Sequence, residues 1–197
     1  MGPEGGGREE PDRELADDFT RVVGEVRQAD ARRSRVRERN LRAAATAEAT
    51  LLGVLLDLAE QNAPVLARTT SGRTVQGRVC VVARDAIVVE SSGGVLTHVQ
   101  LSHVASVRPP AARAIGWGEP AGDRSAPRDT SFANLLADLA AERPRVAVTV
   151  AGEGTVMRGE LRAAGADILT VLLEGDPPGV AYVATRQVSE LTVLASG

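Results

Sequence analysis

Cysteine is nearly absent from this sequence: its 197 residues hold one, Cys80. An internal disulfide is excluded, as is any metal site built on several thiolates. Cys80 lies in an apolar strand-like run and reads as a buried, inert thiol. Aromatic residues make up only 2% of the chain, so a core must be assembled from Val, Leu and Ala. Platforms for stacking single-stranded bases are reduced to Phe19, Trp117, Phe132 and Tyr182, mostly not interleaved with basic residues. Lysine is missing altogether, and a net charge of −3 leaves no global basic footprint. No long uncharged apolar run and no secretory h-region are present, which predicts a soluble, cytoplasmic protein without a membrane partner.

Signs of catalysis are missing too. The two histidines, His98 and His103, stand at no helical or hairpin spacing from a Ser or Cys nucleophile and an orienting acid. Gly152-Glu153-Gly154 leads into a strand and reads as a hairpin turn rather than a phosphate loop. No catalytic residue, metal ligand, cofactor motif or small-molecule substrate is indicated. The chain reads as a non-catalytic binding protein.

What is present is a run of short strands between residues 65 and 107. Val65 to Thr69, Thr74 to Val82, Ala86 to Ser91, Val95 to Gln100 and Val104 to Val107 are β-branched runs bounded by turn residues. Ser92-Gly93-Gly94 is a hairpin signal. Gly77, inside the second run, marks a bulge or a sharp bend. An edited copy follows near the C-terminus. Thr155-Val156 through Gly159 to Asp167 repeats Thr74-Val75 through Gly77 to Asp85, with both Gly77 to Gly159 and Asp85 to Asp167 separated by 82 positions. Ile168 to Leu173, a longer turn over Gly175 to Gly179, Val180 to Thr185 and Val188 to Val193 complete the copy. Asp85 and Asp167 recur at equivalent turns, where Asp commonly bonds its own backbone.

Each set of strands follows a Leu-rich segment ending in Asp-Leu-Ala, Leu51 to Ala59 and Phe132 to Ala140. Their apolar residues fall at helical spacing, and Ser131 is an N-cap for the second. The predicted unit is one helix and five strands, used twice. The predicted fold class is mainly β with helices (α+β): two small five-stranded barrels, each preceded by an α-helix, plus a charged N-terminal helix.

The segment SGRTVQGRV, with Asp85 and with His103 in LSHVASV, resembles the first Sm motif and the closing histidine of the Sm-like family, the Hfq type in particular. About forty residues of each copy carry the likeness, and small SH3-like barrels are the alternative. The resemblance implies an RNA-binding barrel that assembles through edge strands into rings. The chain departs from the pattern at the positions that hold RNA: Ser102 replaces the family's lysine, Leu101 its aromatic, and the second copy has Arg186-Gln187 there. With two unequal copies on one chain, the tandem pair is expected to close its edges internally and to form a monomer or dimer. The overall layout also resembles a family of actinobacterial proteins of uncharacterised function.

The remaining segments are a Gly-rich, acidic tail over 1–10, predicted disordered, a charged helix over 11–48, and a Pro/Gly-rich linker over 108–130 that carries Trp117. Residues 49–107 and 131–197 hold the two repeats. Leu15, Phe19, Val22 and Val26 form an apolar seam on the N-terminal helix. Arg27 to Arg42 holds seven arginines against Asp30 and Glu38. Arg32, Arg35, Arg39 and Arg42 fall on one side of a 3.6-residue helix, a stripe that suits phosphates or an acidic partner segment. Function is accordingly expected to be protein interaction or scaffolding, with a protein partner or self-association. The alternative is a nucleic-acid-associated regulator binding phosphates through Arg32, Arg35, Arg39 and Arg42. A ligand pocket between the two repeats is a weaker third possibility.

Overall fold

The computed structural model describes residues 34, 35, 37, 50–108, 127–152 and 154–195. The predicted tail, most of the predicted helix over 11–48, and most of the linker, Trp117 included, lie outside the described residues. Ser34, Arg35 and Arg37 are helical and exposed. Residues from Thr50 onward form a unit of their own.

Within that unit the repeat is visible element by element. Helix α1 (Leu51–Glu60) starts at Thr50, whose Oγ1 accepts from Gly53 N at 3.0 Å. Helix α2 (Phe132–Ala140) starts at Ser131, whose Oγ accepts from Asn134 N at 3.3 Å. Both caps satisfy an N–H that the helix itself leaves unbonded. After α1 come β1 (Pro64–Thr69), β2 (Thr74–Val82), β3 (Ala86–Glu90), β4 (Leu96–Gln100) and β5 (Val104–Arg108). After α2 come β6 (Arg145–Val150), β7 (Val156–Ala164), β8 (Ile168–Leu173), β9 (Val180–Ala184) and β10 (Val188–Val193). A single 3-10 turn, Leu101–His103 or Thr185–Gln187, precedes the last strand of each set.

The bends in β2 and β7 have a common cause. A Cβ on Gly77 would collide with the Glu90 carbonyl oxygen, and one on Gly159 with the Leu172 carbonyl oxygen. Glycine lets the neighbouring backbone pass over the strand at these points. The bulge itself falls three residues later. Register shifts between Val79 and Val81 and between Leu161 and Ala163, leaving Cys80 and Arg162 as the extra residues. The bulge turns Cys80 outward, so the thiol is exposed rather than buried in an apolar strand, and it donates to Val88 O at 3.3 Å. Partial desolvation of the sulfur raises its pKa above the ordinary thiol value.

The expected pair of separate five-stranded barrels is not what forms. All ten strands join one antiparallel sheet in the order β5-β1-β2-β3-β4-β10-β6-β7-β8-β9. The joint is β4 with β10, in which Val99 faces Glu190, His98 faces Leu191 and Thr97 faces Thr192. A strand at the rim of a five-stranded set presents unpaired N–H and C=O groups. Pairing the rim of the first repeat with that of the second satisfies both rows at once. The tandem pair thus closes one pair of edges. β5 and β9 remain at the ends of the sheet with no further strand beside them among the described residues.

The cores follow the same division. Leu55, Leu58, Val65, Val79, Ile87, Val89 and Val99 form one buried cluster. Phe132, Leu136, Val146, Val148, Leu161, Leu169, Val171, Val188 and Leu191 form another, and it also takes in Ala83 and Ala86 of the first repeat. That crossover places the start of α2 on the corner between β2 and β3.

Candidate interaction surface

The joint between the repeats shows what one repeat offers another. Ladder bonds fix which backbone groups face outward. Leu194 N donates to Arg145 O at 2.8 Å and Ala151 N donates to Gln187 O at 2.8 Å. The alternation of an antiparallel pair therefore turns Leu191 away from β6 and toward β4. Side chains complete the seam. Thr97 Oγ1 and Thr192 Oγ1 share a hydrogen bond of 3.1 Å. Arg73 Nε lies 2.6 Å from Glu190 Oε1, a contact of opposite charges with the carboxylate buried and the guanidinium half-exposed. Within the second repeat, Ser189 Oγ donates to Thr149 O at 3.2 Å. His103 joins the 3-10 turns, with Nε2 2.9 Å from Arg186 O and Nδ1 3.3 Å from Thr70 Oγ1.

One sequence reading changes here. Asp85 does not simply bond its own turn. Its Oδ1 accepts from Phe132 N at 2.7 Å, so the first repeat caps the helix of the second. On β4, an interior strand of the sheet, Thr97 and His98 are both buried. Burial pulls the His98 pKa below its ordinary value, opposed by a hydrogen bond with the Leu191 backbone. His98 Nδ1 has no hydrogen-bond partner among the described residues.

At the far end of the sheet, β9 has no further strand beside it among the described residues. Leu173 N donates to Gly179 O at 2.7 Å and Thr185 N donates to Asp167 O at 2.8 Å. The same alternation turns Ala181 and Val183 toward β8, and the N–H and C=O groups of Val180, Tyr182 and Ala184 outward. Val180 and Tyr182 on this strand and Ile168 on its neighbour are exposed large apolar residues. Behind them is a cleft of about 520 Å³ lined by residues of both repeats, among them Gln100, Asp167, Tyr182, Thr185 and Arg186. Thr185 Oγ1 and Gln100 Oε1 are buried there without a hydrogen bond among the described residues.

Of the four arginines singled out from the sequence, Arg35 is helical and exposed. Arg32, Arg39 and Arg42 lie outside the described residues. Among the described residues, no three His, Cys, Asp or Glu side chains converge on a metal position, and no helix is long and apolar enough to cross a membrane. Leu51, Ile168 and Val180 are surface residues that the sequence did not single out, and Asp167 read there only as a turn residue. Their signal was available only by aligning the copies strand by strand and asking which partners of a buried residue lack cover. No protein-family model matches the chain, and no curated protein matches it.

Proposed function

We propose that this protein is a non-catalytic interaction module that holds a protein partner by strand addition along an open edge of its sheet. The observation that carries the reading is β9. No strand among the described residues pairs with its outward side, and the Tyr182 and Val180 side chains are 71% and 53% exposed. An exposed edge that is apolar and unguarded by charge is a template for another strand. Main-chain bonds then supply affinity, and alternate side chains supply specificity.

Tyr182→Pro tests the reading. Proline is tolerated on an edge strand where the lost N–H faces solvent, so the change deletes an outward donor and leaves the ladder to β8 intact. Tagged wild-type chain and the variant are used to capture partners from the protein's own cell extract, with and without nuclease. Proteins recovered by the wild type in both halves, and lost with Tyr182→Pro, are the expected result. Recovery only of nucleic acid that vanishes with nuclease, and with replacement of Arg32, Arg35, Arg39 and Arg42 by Gln, contradicts it.

A further inference from the structure

We infer that, given the edge reading above, the cleft beside β9 binds the guanidinium of an arginine carried by the partner strand that β9 accepts. Edge pairing supplies the backbone bonds, and the cleft selects the side chain.

One wall of the cleft is polar where the first repeat is apolar. Thr185 opens the 3-10 turn of the second repeat, and Leu101 opens that of the first. Leu101 packs on the apolar core of its own repeat. Thr185 is only 6% exposed, and its Oγ1 has no hydrogen bond among the described residues. Burying a hydroxyl in place of an apolar group costs stability unless a partner meets it. Gln100, the last residue of β4, adds a buried Oε1 that also lacks a hydrogen bond among the described residues. Both side chains line the cleft, so a ligand held there is the partner they lack.

Charge gives the sign of the ligand. Asp85, Asp167 and Arg186 line the cleft, two carboxylates against one guanidinium. Asp85 Oδ1 accepts from Phe132 N, a donor that the following helix supplies. Asp167 stands at the equivalent turn with no such donor beside it among the described residues. Arg186 is exposed and offsets one carboxylate, which leaves a site that favours a cation. The Tyr182 ring in the same lining attracts a cation over its face. A guanidinium has five N–H donors in one plane and no acceptor, and so suits a carboxylate, an amide oxygen and a hydroxyl together; an ammonium is a point charge with three. The way in runs over β9. Tyr182 and Ala184 both line the cleft and lie two residues apart on one face of the strand. A partner residue paired with either projects from that same face, and a long side chain there enters the cleft beside Ile168.

The test uses the full chain and a capped peptide of alternating threonine and valine with one central arginine, together with versions that carry lysine, glutamine or glutamate at that place. Binding is read by titration calorimetry and by amide shifts along β9. The arginine peptide should bind about tenfold more tightly than the glutamine peptide, as a charge-assisted contact predicts, with lysine between them. Asp167→Asn should remove that margin and leave the affinity for the glutamine peptide unchanged; Thr185→Val should narrow it. Equal binding of arginine and glutamine, lysine as tight as arginine, a preference for glutamate, or a margin that survives Asp167→Asn would each overturn the inference. Val180→Pro separates it from the edge reading, because it deletes an outward N–H of β9 at a residue outside the cleft lining. If Val180→Pro abolishes binding of arginine and glutamine peptides that were equally tight, the edge stands and the cleft inference falls. If the arginine peptide binds Val180→Pro as well as wild type, the edge reading falls and the cleft alone accounts for the binding. No binding of any peptide would overturn the inference and leave the edge to the capture experiment.

Discussion

The filled joint and its bare counterpart are built from nearly the same strands, yet one buries a phenylalanine, a histidine and a carboxylate while the other exposes a tyrosine, an isoleucine and a leucine. The difference lies in what the neighbouring copy supplies, not in local strand formation. Both sides have the same strand order, the same glycine at the bend and the same 3-10 turn before the last strand.

The largest separation is expected at the helix starts. Phe132→Ala should cost about 3–5 kcal/mol, as loss of a fully buried aromatic does, whereas Leu51→Ala should cost about 0.5 kcal/mol or less in dilute protein. Chemical denaturation of the two variants side by side checks this, and equal losses would break the comparison. The bends should behave alike instead. Gly77→Ala and Gly159→Ala each push a methyl against a backbone carbonyl and should each cost about 2–3 kcal/mol. A large difference between them would show that the two repeats do not share the bend. Next in size, Arg73→Ala leaves the Glu190 carboxylate buried without its cation. Because Arg73 is half-exposed, the expected loss is about 1–2 kcal/mol, below that of a fully buried pair.

The smallest effect is a pH dependence confined to the filled joint. His98 has a depressed pKa in the folded protein because burial disfavours the imidazolium. Its neutral form therefore contributes stability that is complete above the unfolded value of 6.5 and is lost as pH falls through the lower folded value. Wild type should lose more stability than His98→Gln between neutral pH and the acid side of that window, measured by denaturation at each pH. Identical profiles would remove His98 as the cause.

These residues also show how far the sequence could be read. Strand positions, both helices, the Ser131 cap and the spacing from Gly77 to Gly159 are local patterns, and β-branched runs between turn residues expose them directly. The pairing of β4 with β10 is not local. LTHVQ carries a period that suits a half-exposed rim, and nothing within it states that a strand ninety-odd residues later will cover the other side. The burial of His98 and Glu190 follows from that pairing, as does the use of Asp85 as a helix cap. Gly77 read as a bulge or a sharp bend: glycine there answers a close approach of backbone, and the bulge falls three residues on, at Cys80. Tyr182 was legible as one of few aromatics, but its place on an open edge became visible only once the sheet order was known.

Amide hydrogen exchange at four residues tests the open edge most directly. In dilute protein, His98 and Leu191, paired across the joint, should exchange slowly, while Tyr182 and Val107 at the two ends of the sheet should exchange almost as unprotected amides do. Protection of Tyr182 as strong as that of His98, or fast exchange at His98 and Leu191, would contradict a filled joint within the sheet and an open edge at β9.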